Sequence, residues 1–132
     1  MVDGLTENGG TETILVVDDE RMLREMLSGF LSDNGYTVML AEDGQEAFEL
    51  YASNNDTISL IVMDIVMPRK DGISAYNEIK SRYPAAKILL MSGYNANKLH
   101  VPESMDIILK PFSFLGIVKT IRNTIDDVSL NK

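Results

Sequence analysis

The chain has 132 residues, of which 45% are hydrophobic and 24% charged; that is one globular domain's worth of sequence, able to bury a core without staples. Its 20 acidic and 12 basic residues leave a formal charge of -8, which argues against nucleic acid or an anionic membrane as partner, because both require clustered Lys and Arg. With no cysteine and a lone His100, disulfides, thiolate zinc sites, cysteine nucleophiles and multi-histidine metal sites are excluded.

Residues 1–12 are polar and contain three glycines, and they read as a flexible lead-in. They have neither a basic start nor an apolar segment, so they are no signal peptide. No apolar run approaches a membrane span, and the expected address is the cytoplasm. Residues 13–17, Thr-Ile-Leu-Val-Val, form an unalternating apolar run that stops at Asp18-Asp19, the pattern of a strand covered on both faces. A helix follows, with Met22, Leu23, Met26, Leu27, Phe30 and Leu31 at helical spacing and assigned to its buried face. Asn34-Gly35 ends it. Tyr36–Ala41 is a second strand. Asp43 then caps a helix with Glu46 at its third position, running to about Ser53. After the Asn54-Asn55-Asp56 turn, Ile58–Met63 is a third strand ending at Asp64. Pro68 and Gly72 bracket a loop, and Asp71 caps a helix to about Tyr83. Lys87–Met91 is a fourth strand and Ile107–Leu109 a fifth. A last amphipathic helix carries Phe114, Ile117, Val118, Ile121 and Ile125, and a polar tail occupies 127–132. Met22, Met26, Met39, Met63 and Met91 read as core filler. Between Ser92 and Ile107 the helical pattern is weak, and Pro102 interrupts it.

Strands alternating with helices at this spacing predict an α/β domain over 13–126, with a doubly wound parallel sheet of five strands. In such sheets, sites form at the carboxyl ends of the strands. Asp18 and Asp19 close the first strand, Asp64 the third, Ser92 the fourth and Lys110 the fifth. Taken singly, each is an ordinary turn or cap residue. Together they supply what one reaction needs. Clustered carboxylates repel, and a hard divalent cation such as Mg²⁺ relieves that repulsion through oxygen ligands. A lysine and a hydroxyl balance a phosphoryl group in transfer, and a carboxylate can serve as its acceptor. The residues thus point to Mg²⁺-dependent phosphorylation of an aspartate.

The chain resembles the receiver domains of two-component response regulators. The matching residues are Asp18-Asp19 after Ile-Leu-Val-Val, Asp64 in Leu-Ile-Val-Met-Asp-Ile-Val-Met-Pro, Gly72, Ser92-Gly93 and Lys110-Pro111-Phe112. The resemblance implies a flavodoxin-like sheet in the order 2-1-3-4-5. It implies that Asp64 is phosphorylated and that Asp19, Asp64 and the Val66 backbone carbonyl ligate Mg²⁺, with Asp18 acting through water. Ser92 would then hydrogen-bond the phosphoryl group and Lys110 would pair with it, aimed by a cis Lys110-Pro111 bond. The implied partner is a sensor histidine kinase or a histidine phosphotransfer domain. The chain would catalyse its own phosphorylation and dephosphorylation without being a conventional enzyme.

Four features depart from the family pattern. Ile107 stands where an aromatic residue usually reports the switch. The segment from Ser92 to Lys110 is about four residues short, so the fourth helix of the family is shortened or missing. Val66 and Tyr94 flank the site and imply slow loss of the phosphoryl group. Only a polar tail is expected after the last helix, so the chain reads either as a stand-alone receiver or as a piece of a larger protein, and its lead-in resembles receivers fused to the C-terminus of hybrid sensor kinases. The alternative function is an interaction module on the same fold that works without phosphorylation. A phosphatase-like hydrolase is disfavoured, because Val66 stands where that class needs an acid-base aspartate.

Overall fold

The five apolar runs pair side by side in one parallel sheet. The structure, a computed structural model, describes residues 9–93, 105–110 and 113–127. The strands are β1 (Thr13–Val17), β2 (Thr37–Ala41), β3 (Ile58–Asp64), β4 (Ile88–Ser92) and β5 (Asp106–Leu109). Their order is β2-β1-β3-β4-β5, the order that the family resemblance implies. The described helices are α1 (Arg21–Asp33), α2 (Gly44–Asn54), α3 (Gly72–Arg82) and α4 (Phe114–Asp126). The expectation of a short or missing helix before β5 concerns residues 94–104, which lie outside the described residues, as do Tyr94, Pro111 and the Lys110-Pro111 bond.

The strands are apolar throughout because both faces of the sheet are covered. Alternate residues point to opposite sides. Leu15, Val17, Ile61, Met63, Ile88 and Leu90 join a core with Ala47 and Tyr51 of α2 and Ala75 and Ile79 of α3. Ile14, Val16, Leu60, Val62, Leu89 and Met91 join a second core with Leu27 and Leu31 of α1 and Ile117, Val118 and Ile121 of α4. Phe30 of α1 stacks on Phe114 of α4, with ring centroids 4.7 Å apart.

Helix ends follow their local chemistry. Asp43 Oδ1 accepts from Glu46 N–H at 2.9 Å, and Glu46 Oε1 accepts in return from Glu42 N–H at 2.8 Å. Asp71 Oδ1 accepts from Ser74 N–H at 2.8 Å, and Ser113 Oγ from Gly116 N–H at 2.9 Å. Beyond the Asn34 C-cap, Gly35 takes φ +99°, a left-handed conformation that costs glycine little.

Two side chains correct the reading of α1. Met22 and Met26 are 70% and 48% exposed, not core filler. At about 100° per residue, the inward stripe runs through Leu23, Leu27, Phe30 and Leu31, and the two methionines fall on its flank. Met63 and Met91 are fully buried, and Met39 packs against the first core.

Residues 9–12, at the end of the expected lead-in, carry defined contacts. Gly10 N–H donates to Asn34 O at 3.2 Å, and Thr37 N–H donates to Glu12 O at 3.0 Å. Arg122 of α4 reaches Gly9 O at 3.1 Å, Glu12 Oε2 at 2.6 Å and Asp126 Oδ1 at 2.8 Å.

Candidate phosphoryl and metal site

Strand register brings the predicted residues to one end of the sheet. Asp64 ends β3 opposite Met91, and Ser92 ends β4 opposite Leu109. Lys110 follows β5, its N–H donating to Ser92 O at 2.7 Å. Asp18 follows β1, its N–H donating to Ala41 O at 3.2 Å.

The carboxylates converge. Oxygens of Asp18, Asp19 and Asp64 lie within 4.8 Å of one another. Asp18 and Asp64 are buried, whereas Asp19 faces solvent. Asp18 is fixed by its surroundings: Oδ1 accepts from Glu20 N–H at 2.8 Å, and its carbonyl accepts from Arg24 at 2.7 Å. Glu20, not Asp19, is the N-cap of α1. Asp19 therefore does not have the capping role that its position before a helix suggests.

One ammonium faces this cluster. Lys110 Nζ lies 3.2 Å from Asp18 Oδ2 and 3.4 Å from Asp64 Oδ2. Burial pushes the Asp64 carboxyl above the ordinary aspartate range, and the charge of Asp18 pushes it further; the pull of Lys110 and of Val66 N–H does not cancel them. Burial lowers the Lys110 ammonium, but the charges of Asp64 and Asp18 outweigh it and hold its pKa above the ordinary range. Three carboxylates outnumber the Lys110 ammonium and the Arg24 guanidinium beside them, which leaves a surplus of negative charge. The donors are hard oxygens, the kind Mg²⁺ prefers, so the residues present fit that ion.

Around the acids, the chain leaving β3 is folded tightly. Gly72 N–H donates to Ile65 O at 2.7 Å. A Cβ at Gly72 would lie 2.3 Å from Asp64 O and 2.8 Å from Ile65 Cα, so any side chain there would displace the backbone at Asp64. Val66 is half-exposed in this loop. Ser92 is buried at the end of β4, opposite Leu109. Ile107 is partly buried and packs against the α2–α3 core.

Residues 14–122 match the family model described as the response regulator receiver domain. The chain belongs to this family. It is 38% identical over 112 residues to response regulator RR06 of Streptococcus pneumoniae, covering 83% of this chain and 51% of that protein. It is 30% identical over 129 residues to sensor kinase CckA of Brucella abortus, covering 95% of this chain and 14% of that protein. The receiver thus spans about half the length of the first relative and a small part of the second. Among solved structures, response regulator TrrA of Thermotoga maritima, in complex with Mg²⁺-BeF, superposes with a TM-score of 0.77 at 30% identity, covering 86% of this chain and 99% of that one. No described helix of the receiver is long and apolar enough to cross a membrane.

The sequence pointed to the four side chains that converge here, Asp18, Asp19, Asp64 and Lys110, and to Ser92, whose carbonyl accepts from Lys110 N–H. It did not point to Arg24, whose guanidinium holds the Asp18 carbonyl. A basic residue on the first helix, six positions past Asp18, was its only signal.

Proposed function

We propose that this receiver accepts a phosphoryl group from a phosphohistidine onto Asp64 and thereby shifts its conformation. The observation that carries the reading is the cluster of Asp18, Asp19 and Asp64 facing Lys110 at the strand ends. Asp19, Asp64 and the Val66 carbonyl would hold Mg²⁺, with Asp18 acting through water; when bound, the ion supplies positive charge against the phosphoryl oxygens. An Asp64 oxygen forms the P–O bond as the P–N bond of the phosphohistidine breaks, and the imidazole leaves with the bonding pair. Lys110 and the Ser92 hydroxyl take up the new negative charge. Their movement toward it biases a pre-existing equilibrium.

The donor is a sensor histidine kinase or a histidine phosphotransfer domain in the cytoplasm. The family match supports this, as does the likeness to CckA, a sensor kinase. Because Ile107 packs against the α2–α3 core as an aliphatic residue, the readout runs through packing rather than through an aromatic rotamer.

The test is intact-protein mass after incubation with acetyl phosphate and Mg²⁺, beside Asp64→Asn and EDTA controls. One added phosphoryl group, lost in both controls, is the expected result. No addition to a folded protein would replace this reading with a module that works without phosphorylation.

A further inference from the structure

The 65–71 loop contains the one described non-glycine residue with positive φ, Arg69 at +63°. Residues with a Cβ take up this conformation rarely, and an outlier of this kind marks a place where the surroundings impose it. Arg69 Nε donates to Asp43 Oδ2 at 2.7 Å, and a second guanidinium nitrogen reaches the same oxygen. The pair joins residues 26 positions apart.

Asp43 divides its two oxygens. Oδ1 caps α2 through Glu46 N–H, and Oδ2 receives Arg69. Ser or Asn caps a helix equally well; only a carboxylate adds a second, charged acceptor for a guanidinium. The Asp43 side chain is 2% exposed, so the pair is anchored at its acidic end. Beside it, Gly44 N–H donates to Lys70 O at 3.0 Å. The loop apex is thus tied to the start of α2 by a side chain and by the backbone. Its ends are tied by β3 and by the Gly72–Ile65 hydrogen bond.

Val66 lies inside this closed loop, three residues before Arg69. We propose that Arg69 is a positioning residue which, by clamping the loop apex to Asp43, fixes the main chain at Val66 for Mg²⁺ binding. This rests on the Mg²⁺ reading given above. Lys70 N–H donates to Pro68 O at 2.7 Å across Arg69, and in this tight turn, with φ positive, the Arg69 guanidinium meets Asp43.

The test is titration of the full chain with MgCl₂ by calorimetry, with thermal unfolding in EDTA measured alongside. Arg69→Gly keeps the positive φ without strain and removes the clamp. Asp43→Asn keeps the cap and removes the charge. Arg69→Lys keeps the charge and loses the fork. We expect Arg69→Gly and Asp43→Asn each to weaken Mg²⁺ binding about ten-fold, the scale of a lost partner in the shell behind a metal ligand. Arg69→Lys should fall between them and the wild type. The double variant should bind no more weakly than the weaker single, because one clamp cannot be broken twice. Arg69→Gly binding Mg²⁺ as tightly as the wild type would overturn the inference alone, whatever its melting temperature. A wild type that binds no Mg²⁺ would overturn both the inference and the reading beneath it. If Asp43→Asn fails to fold, Arg69→Gly decides.

Discussion

Two ionic clusters lie at the two ends of β1 and are built differently. Before the strand, each guanidinium nitrogen of Arg122 is directed at acceptors: Glu12, Asp126, Gly9 O and Tyr36 Oη, at 2.6–3.3 Å. After the strand, Lys110 stands 3.2 and 3.4 Å from two buried carboxylates, with a third close by. The first cluster is saturated and ties α4 to the segment entering the sheet. Both clusters hold more carboxylates than cations, but Glu12 and Asp126 reach solvent, whereas Asp18 and Asp64 are buried. Saturated charge contributes to holding a fold; surplus buried charge costs stability and creates affinity for a cation.

The largest effect that would sharpen this contrast is at Lys110. Lys110→Met should slow phosphorylation by acetyl phosphate about a hundred-fold, the scale of one lost charge-stabilising group, as read from intact mass against time. A rate within a few-fold of the wild type would place the cation outside the chemistry. Arg122→Met should instead lower stability by about 2 kcal/mol, through loss of hydrogen bonds to charged groups, while phosphoryl uptake stays unchanged; urea unfolding and the same mass assay check both halves.

Acid should push the two clusters in opposite directions. Arg122 holds the Glu12 carboxyl below its ordinary range, so the unfolded chain binds that proton more tightly. Its stabilising contribution is full above the unfolded pKa and is lost as pH falls through the folded one. The Asp64 pKa is raised, so the metal-free folded state binds its proton more tightly. Its penalty is full above the folded pKa and is relieved as pH falls toward the unfolded one. In EDTA, Asp64→Asn should therefore raise stability near neutral pH and less so in acid. Glu12→Gln should lower it near neutral pH, and the deficit should shrink in acid. Urea midpoints measured from neutral to acid pH test the signs, and parallel curves for the two variants would break the comparison.

The smallest effect belongs to α1. Met22→Gln should change stability by less than about 0.5 kcal/mol, as for an exposed position without special contacts. A loss on the scale of a core truncation would restore Met22 to the interior.

The site was legible in the sequence because Asp18, Asp19, Asp64, Ser92 and Lys110 each follow an apolar run directly. Local order along the chain therefore carried their placement. The clamps were not legible. Arg69 pairs across 26 residues and Arg122 with Glu12 across 110, and no periodicity joins such partners. The error over Met22 and Met26 has another source. Three adjacent apolar pairs, 22–23, 26–27 and 30–31, make a stripe wider than the sheet can cover. A pattern of apolar positions shows which residues lie near the stripe, but its centre is set by what packs against it.

The stagger of β3, β4 and β5 has a consequence for how this chain can vary. Asp64 stands opposite Met91, Ser92 opposite Leu109, and Lys110 is bonded to Ser92 through the main chain. A slip of two residues would keep every side chain on its proper face, yet would carry one of the three about 6–7 Å along its strand. The apolar cores would tolerate the exchange far better than the polar cluster. Insertions and deletions within the strands are therefore penalised through chemistry before they are penalised through folding. Change in length is left to the connections between strands, where a residue gained or lost leaves the three groups in step.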